Sequence, residues 1–143
     1  MNENIDRNWI GGSEDEIYRE NILDHFKNPH NFGKLEEFDI CNKEFNPTCG
    51  DEVEIFAKIN DDKISDVRFF GKGCAISQAS ASMLTDKIKN MPIEEIKKLT
   101  KEDIINMLGI DLGVVRQRCG LLCLKTLHKG LENLGERKWM MKE

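Results

Sequence analysis

Eight residues near the middle of the chain alternate between apolar and mostly charged side chains. The apolar members are Val53, Ile55, Ala57 and Ile59, and the residues between them are Glu52, Glu54, Phe56 and Lys58. A period of two residues is typical of a β-strand with one buried face. The turn-forming Asn60-Asp61-Asp62 comes next, and residues 64–70 are again rich in strand formers. The sequence therefore predicts an antiparallel hairpin.

The rest of the chain predicts one further strand and a series of helices. We expect the strand within residues 38–45 and helices over residues 14–27, 75–88, 93–99, 101–108 and 114–134. Three strands followed by a run of helices are typical of an α+β domain, in which helices cover the apolar face of a three-stranded antiparallel sheet. We expect a single domain over residues 14–143 behind a flexible leader of residues 1–13.

The first predicted helix carries a broad apolar stripe. Tyr18, Ile22 and Phe26 repeat every four residues, and Ile17 and Leu23 widen the stripe. Such a pattern is typical of an amphipathic helix.

Composition and charge exclude several functional classes. The net charge of −5 argues against nucleic acid as a partner, because a nucleic-acid reader needs a basic face. No apolar run approaches the ~18–20 residues of a membrane span, and the first residues lack the features of a signal peptide. We therefore expect a cytoplasmic protein that binds neither nucleic acid nor a membrane. In that reducing compartment, five cysteines favour metal ligation, sulfur chemistry or free thiols over disulfides.

Three of the five cysteines lie beside a turn or helix-start signal. Cys49 belongs to an Asn-Pro-Thr-Cys-Gly-Asp turn that ends at Asp51, directly before the second predicted strand. Cys74 follows the third strand, comes immediately after Gly73 and opens a helix, and Cys119 lies early in the last helix. Thiols that only fill a core need neither turn residues nor helix starts around them, so these positions indicate a site.

The predicted topology brings these residues to one place. In a hairpin, the start of one strand and the end of its partner lie at the same edge, so Cys49, Asp51 and Cys74 should be neighbours. Cys119 must then be delivered by tertiary packing. Three thiolates and one carboxylate form a tetrahedral donor set that suits zinc, or iron with bridging sulfide. We therefore predict a metal or iron–sulfur site at Cys49, Asp51, Cys74 and Cys119.

Charge near the thiols predicts which of them ionise. The helix start at Cys74 favours a thiolate, and we expect Arg116 and Arg118 to do the same for Cys119. Cys41 and Cys123 are better interpreted as small buried apolar residues. The three histidines, His25, His30 and His128, show no ligand spacing, and we interpret them as helix-end, turn and solvated helix residues respectively.

At this point the chain closely resembles the IscU/SufU/NifU-type iron–sulfur cluster assembly scaffolds. The resemblance runs from about residue 18 to residue 131. The matching stretches are residues 18–33, Asn-Pro-Thr-Cys-Gly-Asp at 46–51, Gly-Lys-Gly-Cys-Ala-Ile-Ser-Gln-Ala-Ser-Ala-Ser at 71–82, and Cys119 with its basic neighbours. The second and third stretches together are highly specific for this family.

The resemblance implies a SufE/NifU-like fold and a scaffold or sulfur carrier, not a stand-alone enzyme. Such a protein accepts persulfide sulfur from a SufS- or IscS-type cysteine desulfurase, on Cys49 or Cys119. It assembles a transient [2Fe–2S] cluster on Cys49, Asp51, Cys74 and Cys119 and passes it to apo-proteins. Zinc often occupies the same site in this family. We expect a monomer or a weak homo-oligomer.

The sequence is intermediate between two subfamilies. Gly-Lys-Gly-Cys-Ala-Ile-Ser resembles SufU, yet only 45 positions separate Cys74 from Cys119, without the SufU insertion. That length is similar to IscU, but Arg118 stands where IscU proteins have a histidine, and residues 112–116 read Leu-Gly-Val-Val-Arg in place of Leu-Pro-Pro-Val-Lys. Three alternatives to a scaffold remain: a zinc-bound SufU-type sulfur acceptor that activates the desulfurase, a structural zinc module acting as an adaptor, and a Cys/His thiol hydrolase.

Overall fold

The computed structural model describes the backbone of residues 13–141 and the side chains of residues 16–135. Residues 1–12 of the predicted leader lie outside the described residues, and Ser13, its last residue, belongs to the first helix. The elements in chain order are α1 (Ser13–Lys27), β1 (Ile40–Asn46), β2 (Asp51–Asn60), β3 (Lys63–Lys72), α2 (Ala75–Ile88), α3 (Ile93–Lys97), α4 (Lys101–Leu108) and α5 (Val114–Met141). The α+β prediction is confirmed.

The sheet is an antiparallel meander in the order β1-β2-β3. Asp61 and Asp62 join β2 to β3 and both have positive φ angles, 58° and 61°, as a two-residue hairpin turn requires. At the opposite end of the sheet, Asn46 pairs with Asp51 and Glu52 pairs with Lys72. The β1–β2 turn and the chain leaving β3 are therefore adjacent.

Two helices cover the apolar face of the sheet. Val53, Ile55 and Ala57 of β2 are fully buried, as the period of two predicted. α5 packs across β1 and β2, and α2 packs against β3 and α5. Small buried residues on α2 allow this close approach, and the hydroxyl of Ser80 donates a hydrogen bond to the Gly120 carbonyl at 2.7 Å. Within the described residues, no helix is long and apolar enough to cross a bilayer.

The helix predicted over residues 14–27 is present as α1, but most of its apolar stripe is exposed. Of its five apolar residues only Ile22 is buried, and the exposed ones are Ile17, Tyr18, Leu23 and Phe26. α1 packs mainly against α2, and a single neighbouring helix covers a narrower strip than a sheet does. The buried strip instead includes His25 beside Ile22.

The last helix is longer than predicted. The leucine stripe ends at Leu134, but α5 continues through Gly135 to Met141. A glycine disfavours the helix by only about 1 kcal/mol relative to alanine, so it does not by itself end one.

Candidate metal centre

Cys49 is held by a tight turn between β1 and β2. The N–H groups of Cys49 and Gly50 both donate to the Asn46 carbonyl, at 3.2 and 2.8 Å. Gly50 has a φ of 73°, in the left-handed region that glycine adopts without strain. The turn leaves the side chain of Cys49 exposed.

Asp51 is the first residue of β2 and only 1% exposed. One carboxylate oxygen, Oδ1, accepts a hydrogen bond from the backbone N–H of Cys74 at 3.0 Å. The other oxygen, Oδ2, is buried without a hydrogen-bond partner among the described residues. A buried carboxylate oxygen without a partner is costly, so the position calls for a cation or a proton.

Cys119 lies on α5, and the packing of this helix on the sheet brings it to the other residues, as predicted. It is 1% exposed, and its Sγ lies 3.2 Å from the Sγ of Cys49. The side-chain amide of Asn46 points to the same sulfur at 3.8 Å. The Sγ atoms of Cys49 and Cys119 and a carboxylate oxygen of Asp51 all lie within 4.8 Å of one another.

Cys74 stands at the edge of this group. It is the N-cap residue of α2, half-buried, and its backbone rather than its thiol contacts Asp51. Its side chain is nevertheless close enough to Cys119 to contribute to the raised pKa of that thiol. The structure therefore brings all four predicted residues to one end of the sheet, with three of them already around one point.

The ionisation of Cys119 differs from the sequence-based expectation. Burial first, and then the side chains of Asp51, Cys49 and Cys74, raise the pKa of Cys119 far above its ordinary value. Arg116 and Arg118 are exposed on α5 and do not offset this. The prediction that these arginines favour a thiolate at Cys119 was wrong, because the sulfur faces the interior while the guanidinium groups face solvent.

The donor set fits a metal ion. The four residues offer three sulfurs and one oxygen, the mixture that suits zinc or iron, and the oxygen available is the unpartnered Oδ2 of Asp51. A bound cation would stabilise the buried carboxylate and keep Cys119 deprotonated, so the present residues complement such a group in charge as well as in chemistry.

Gly73 is the residue that lets the chain pass so close to Asp51. Its φ is 151°, which side chains rarely adopt, and a Cβ there would overlap Asp51 Oδ1 and Ser77 Oγ. We expect Gly73→Ala to destabilise the fold by about 1–3 kcal/mol. Because Asp51 must move, zinc binding should weaken by about tenfold or more. Thermal unfolding and a zinc competition titration measure the two effects.

Gly113 provides the matched control. A Cβ at Gly113 meets nothing within 4 Å, and its φ is not in the strained region. Gly113→Ala should keep wild-type zinc affinity. Equal affinity in Gly73→Ala and wild type would show that the close approach to Asp51 does not matter for the metal.

Of the two remaining cysteines, both predicted to be buried, only one is. Cys123 is fully buried beside Ser80, as expected for a small apolar residue. Cys41 is exposed on β1, 3.5 Å from Glu54 Oε2, so its interpretation as a buried residue was wrong. Position 41 points to the face of the sheet that the helices do not cover.

Sequence reasoning missed a second cluster of ligand-type side chains. His25, His30 and Asp86 come together, although no short spacing joins them. His25 lies in the last turn of α1, as predicted, and is buried there. The third histidine, His128, is half-buried and contacts the Ile96 carbonyl through Nε2 at 2.9 Å. Only the packing of α1 and the following loop on α2 reveals the first two as neighbours.

Two curated proteins illustrate what the chain is similar to. It is 38% identical over 134 residues to the zinc-dependent sulfurtransferase SufU of Bacillus subtilis (strain 168), covering 82% of this chain and 90% of that protein. It is 41% identical over 118 residues to the iron-sulfur cluster assembly scaffold protein IscU of Aquifex aeolicus (strain VF5), covering 81% of this chain and 74% of that protein.

A solved structure and a family match agree with these relatives. The putative iron-sulfur cluster assembly scaffold protein for the SUF system from Fervidobacterium islandicum AW-1 superposes with a TM-score of 0.69 at 33% identity, covering 84% of this chain and 99% of that one. Residues 17–140 match the family described as NifU-like N terminal domain. That match spans most of the chain and includes the four residues at the end of the sheet, so the chain belongs to the NifU-like N-terminal domain family.

Proposed function

We propose that the protein is an iron–sulfur cluster assembly scaffold. It accepts sulfur from a cysteine desulfurase, builds a labile [2Fe–2S] cluster on Cys49, Asp51, Cys74 and Cys119, and passes the cluster to apo-proteins. The observation that carries the proposal is the meeting of two thiols with a carboxylate oxygen of the buried Asp51, whose Oδ2 has no hydrogen-bond partner among the described residues, next to a third thiol. The similarity to proteins named as scaffolds supports it.

The donor set explains how one site can both build and release its cargo. Thiolates are soft ligands that bind iron strongly, whereas a carboxylate is a harder and weaker partner for iron in a cluster. Asp51 is held in place by the N–H of Cys74, so the weak ligand is also a well-positioned one. Asp51 is therefore the ligand of the four that gives up iron most readily.

Sulfur enters at Cys49, because this thiol is exposed while Cys119 is buried with a raised pKa. The Cys49 thiolate attacks the terminal sulfur of the persulfide on the desulfurase. A new S–S bond forms on Cys49, the S–S bond on the desulfurase breaks, and the desulfurase cysteine leaves as a thiolate. The protein works with its desulfurase partner and not as a stand-alone catalyst, in a reducing cytoplasm that keeps the five thiols free.

A zinc-bound sulfur acceptor of the SufU type is the second candidate. The similarity to a zinc-dependent sulfurtransferase is compatible with it, and three sulfurs with one oxygen also make a tetrahedral zinc site. In this case zinc would order the site, and the chain would activate the desulfurase without housing a cluster.

Anaerobic reconstitution tests the scaffold function. The protein is incubated with ferrous iron, cysteine and a SufS- or IscS-type desulfurase, and visible absorbance is recorded. We expect the charge-transfer bands of a [2Fe–2S] cluster and the loss of those bands on addition of an apo-ferredoxin. Stimulated desulfurase turnover with no visible absorbance would instead identify the zinc-bound acceptor.

Mass spectrometry of the same mixture without iron locates the first sulfur. We expect a mass increase of one sulfur atom on the peptide that carries Cys49. Cys41 is the matched control, because it is also exposed but lies away from the site. Persulfide confined to Cys119 would contradict the assignment of Cys49 as the entry point.

A further inference from the structure

A second group of metal-ligand side chains lies where α1, the loop after it and α2 meet. An imidazole nitrogen from each of His25 and His30 and a carboxylate oxygen of Asp86 lie within 4.8 Å of one another. We propose that these three residues bind one divalent first-row transition-metal ion of the zinc class, at a site separate from the cysteines. Two imidazoles and a carboxylate are ligands that such ions take in proteins, with further positions open to water.

The side chains are already oriented by their neighbours. His25 Nδ1 lies 2.7 Å from the Ser82 hydroxyl, and Ser82 Oγ also accepts the backbone N–H of His30 at 2.8 Å. The two imidazole rings pack with centroids 4.4 Å apart. The Ser82 hydroxyl occupies Nδ1 of His25 and leaves its Nε2 to an ion, whereas at His30 the ion would replace the hydrogen bond between Nδ1 and Asp86. Outer hydrogen bonds of this kind fix the ring orientation of metal-binding histidines.

Asp86 is positioned in the same way. Its Oδ2 lies 2.5 Å from His30 Nδ1, and its Oδ1 accepts a hydrogen bond from the Asn31 side chain at 2.9 Å. Asp86 and His30 are half-exposed, so an ion and its water ligands can reach them, while His25 is 8% exposed and forms the inner wall.

Burial and the neighbouring charges keep His25 in the form that binds a cation. Burial and the adjacent His30 lower the pKa of His25, and Asp86 and Asp24 act against this shift. His25 is therefore neutral at pH 7, the form of histidine that binds metals. A neutral His25 and the Asp86 carboxylate both offer lone pairs to an ion.

The site is distant from the cysteines. Cys74 precedes α2 and Asp86 lies in the last turn of that helix. Twelve residues of α-helix span about 18 Å, so an ion held by Asp86 cannot share a ligand with one held by Cys74. Metal binding at His25, His30 and Asp86 is consequently independent of what the cysteines bind.

Zinc titration of the full chain, followed by NMR of ¹³C-labelled histidine rings, tests the proposal. The chain has only three histidines. We expect the ring signals of His25 and His30 to shift and saturate together, while His128, on α5, does not move. Unchanged rings, or equal shifts of all three, would overturn the proposal. A failure of the cysteines to bind zinc would leave this readout intact.

Variants of the group provide the second readout. We expect His30→Ala and Asp86→Asn each to lower, by about 100-fold, the zinc affinity measured from the ring signals of His25. Ser82→Ala, which removes an orienting hydroxyl, should lower that affinity by about tenfold. His128→Ala should bind as the wild type does. Circular dichroism verifies folding of each variant. Wild-type affinity in both His30→Ala and Asp86→Asn would show that these contacts only fasten the loop to α2.

Discussion

Replacing Asp51 with alanine is expected to prolong the lifetime of the reconstituted cluster and to slow its transfer to an apo-protein. In the proposed scaffold, Asp51 supplies the hard, weakly bound ligand, and cluster release begins at that ligand. An activation free energy of cluster transfer that is higher by about 1.4 kcal/mol slows the transfer about tenfold, and we expect the rate to fall by at least this factor. Asp51→Cys should have the same effect, because a fourth thiolate binds iron more strongly than a carboxylate. Transfer to apo-ferredoxin, followed by circular dichroism in the visible range, measures the rate.

Asp111 offers a matched control for these variants. It is an exposed carboxylate that precedes α5, outside the group formed by Asp51 and the cysteines. Asp111→Ala should transfer its cluster at the wild-type rate. Wild-type rates in both Asp51→Ala and Asp51→Cys would remove Asp51 from the release step, whatever its role in folding.

Replacing Cys119 with serine is expected to cause the largest loss of metal binding. The binding free energy of a structural zinc ion is about 10–16 kcal/mol, so one of four ligands accounts for about 3 kcal/mol of it. A loss of that size lowers the zinc affinity about 100-fold. The loss should be clear because Cys119 is buried and no other described thiol can replace its sulfur beside Cys49. Competition with a chromophoric chelator measures the zinc affinity.

Cys123 provides a matched control for this experiment. It lies one turn further along α5, is also buried, and contacts Ser80 and the Gly120 carbonyl instead of the site. Serine can keep those hydrogen bonds, so Cys123→Ser should retain wild-type affinity for zinc. Equal losses of zinc affinity in the two variants would indicate that a disturbance of α5, rather than the loss of the Cys119 sulfur, weakens zinc binding.

Local patterns in the sequence predict much of the fold and of the site. Alternation at Val53, Ile55 and Ala57 sets the buried face of β2, and the aspartates that follow it form the hairpin turn. The hairpin in turn places Cys49 and Cys74 at one edge, since strand pairing is a short-range consequence of that turn. These features depend on neighbours in sequence, which is why the pattern reveals them.

Features that depend on packing between distant segments could not be predicted in this way. The burial of Cys119 follows from how α5 rotates over the sheet, so its flanking arginines alone suggested the opposite ionisation. The narrow buried strip of α1 follows from its partner being a single helix. His25 and Asp86 are 61 positions apart in the chain and meet only because α1 lies on α2.

The central claim is that Cys49, Asp51, Cys74 and Cys119 surround a single metal ion. X-ray absorption at the zinc edge, on protein loaded with less than one equivalent of zinc, tests it most directly. We expect three sulfur neighbours at about 2.3 Å and one oxygen neighbour at about 2.0–2.2 Å. A first shell with fewer than three sulfurs, or with nitrogen in place of the oxygen, would contradict the account.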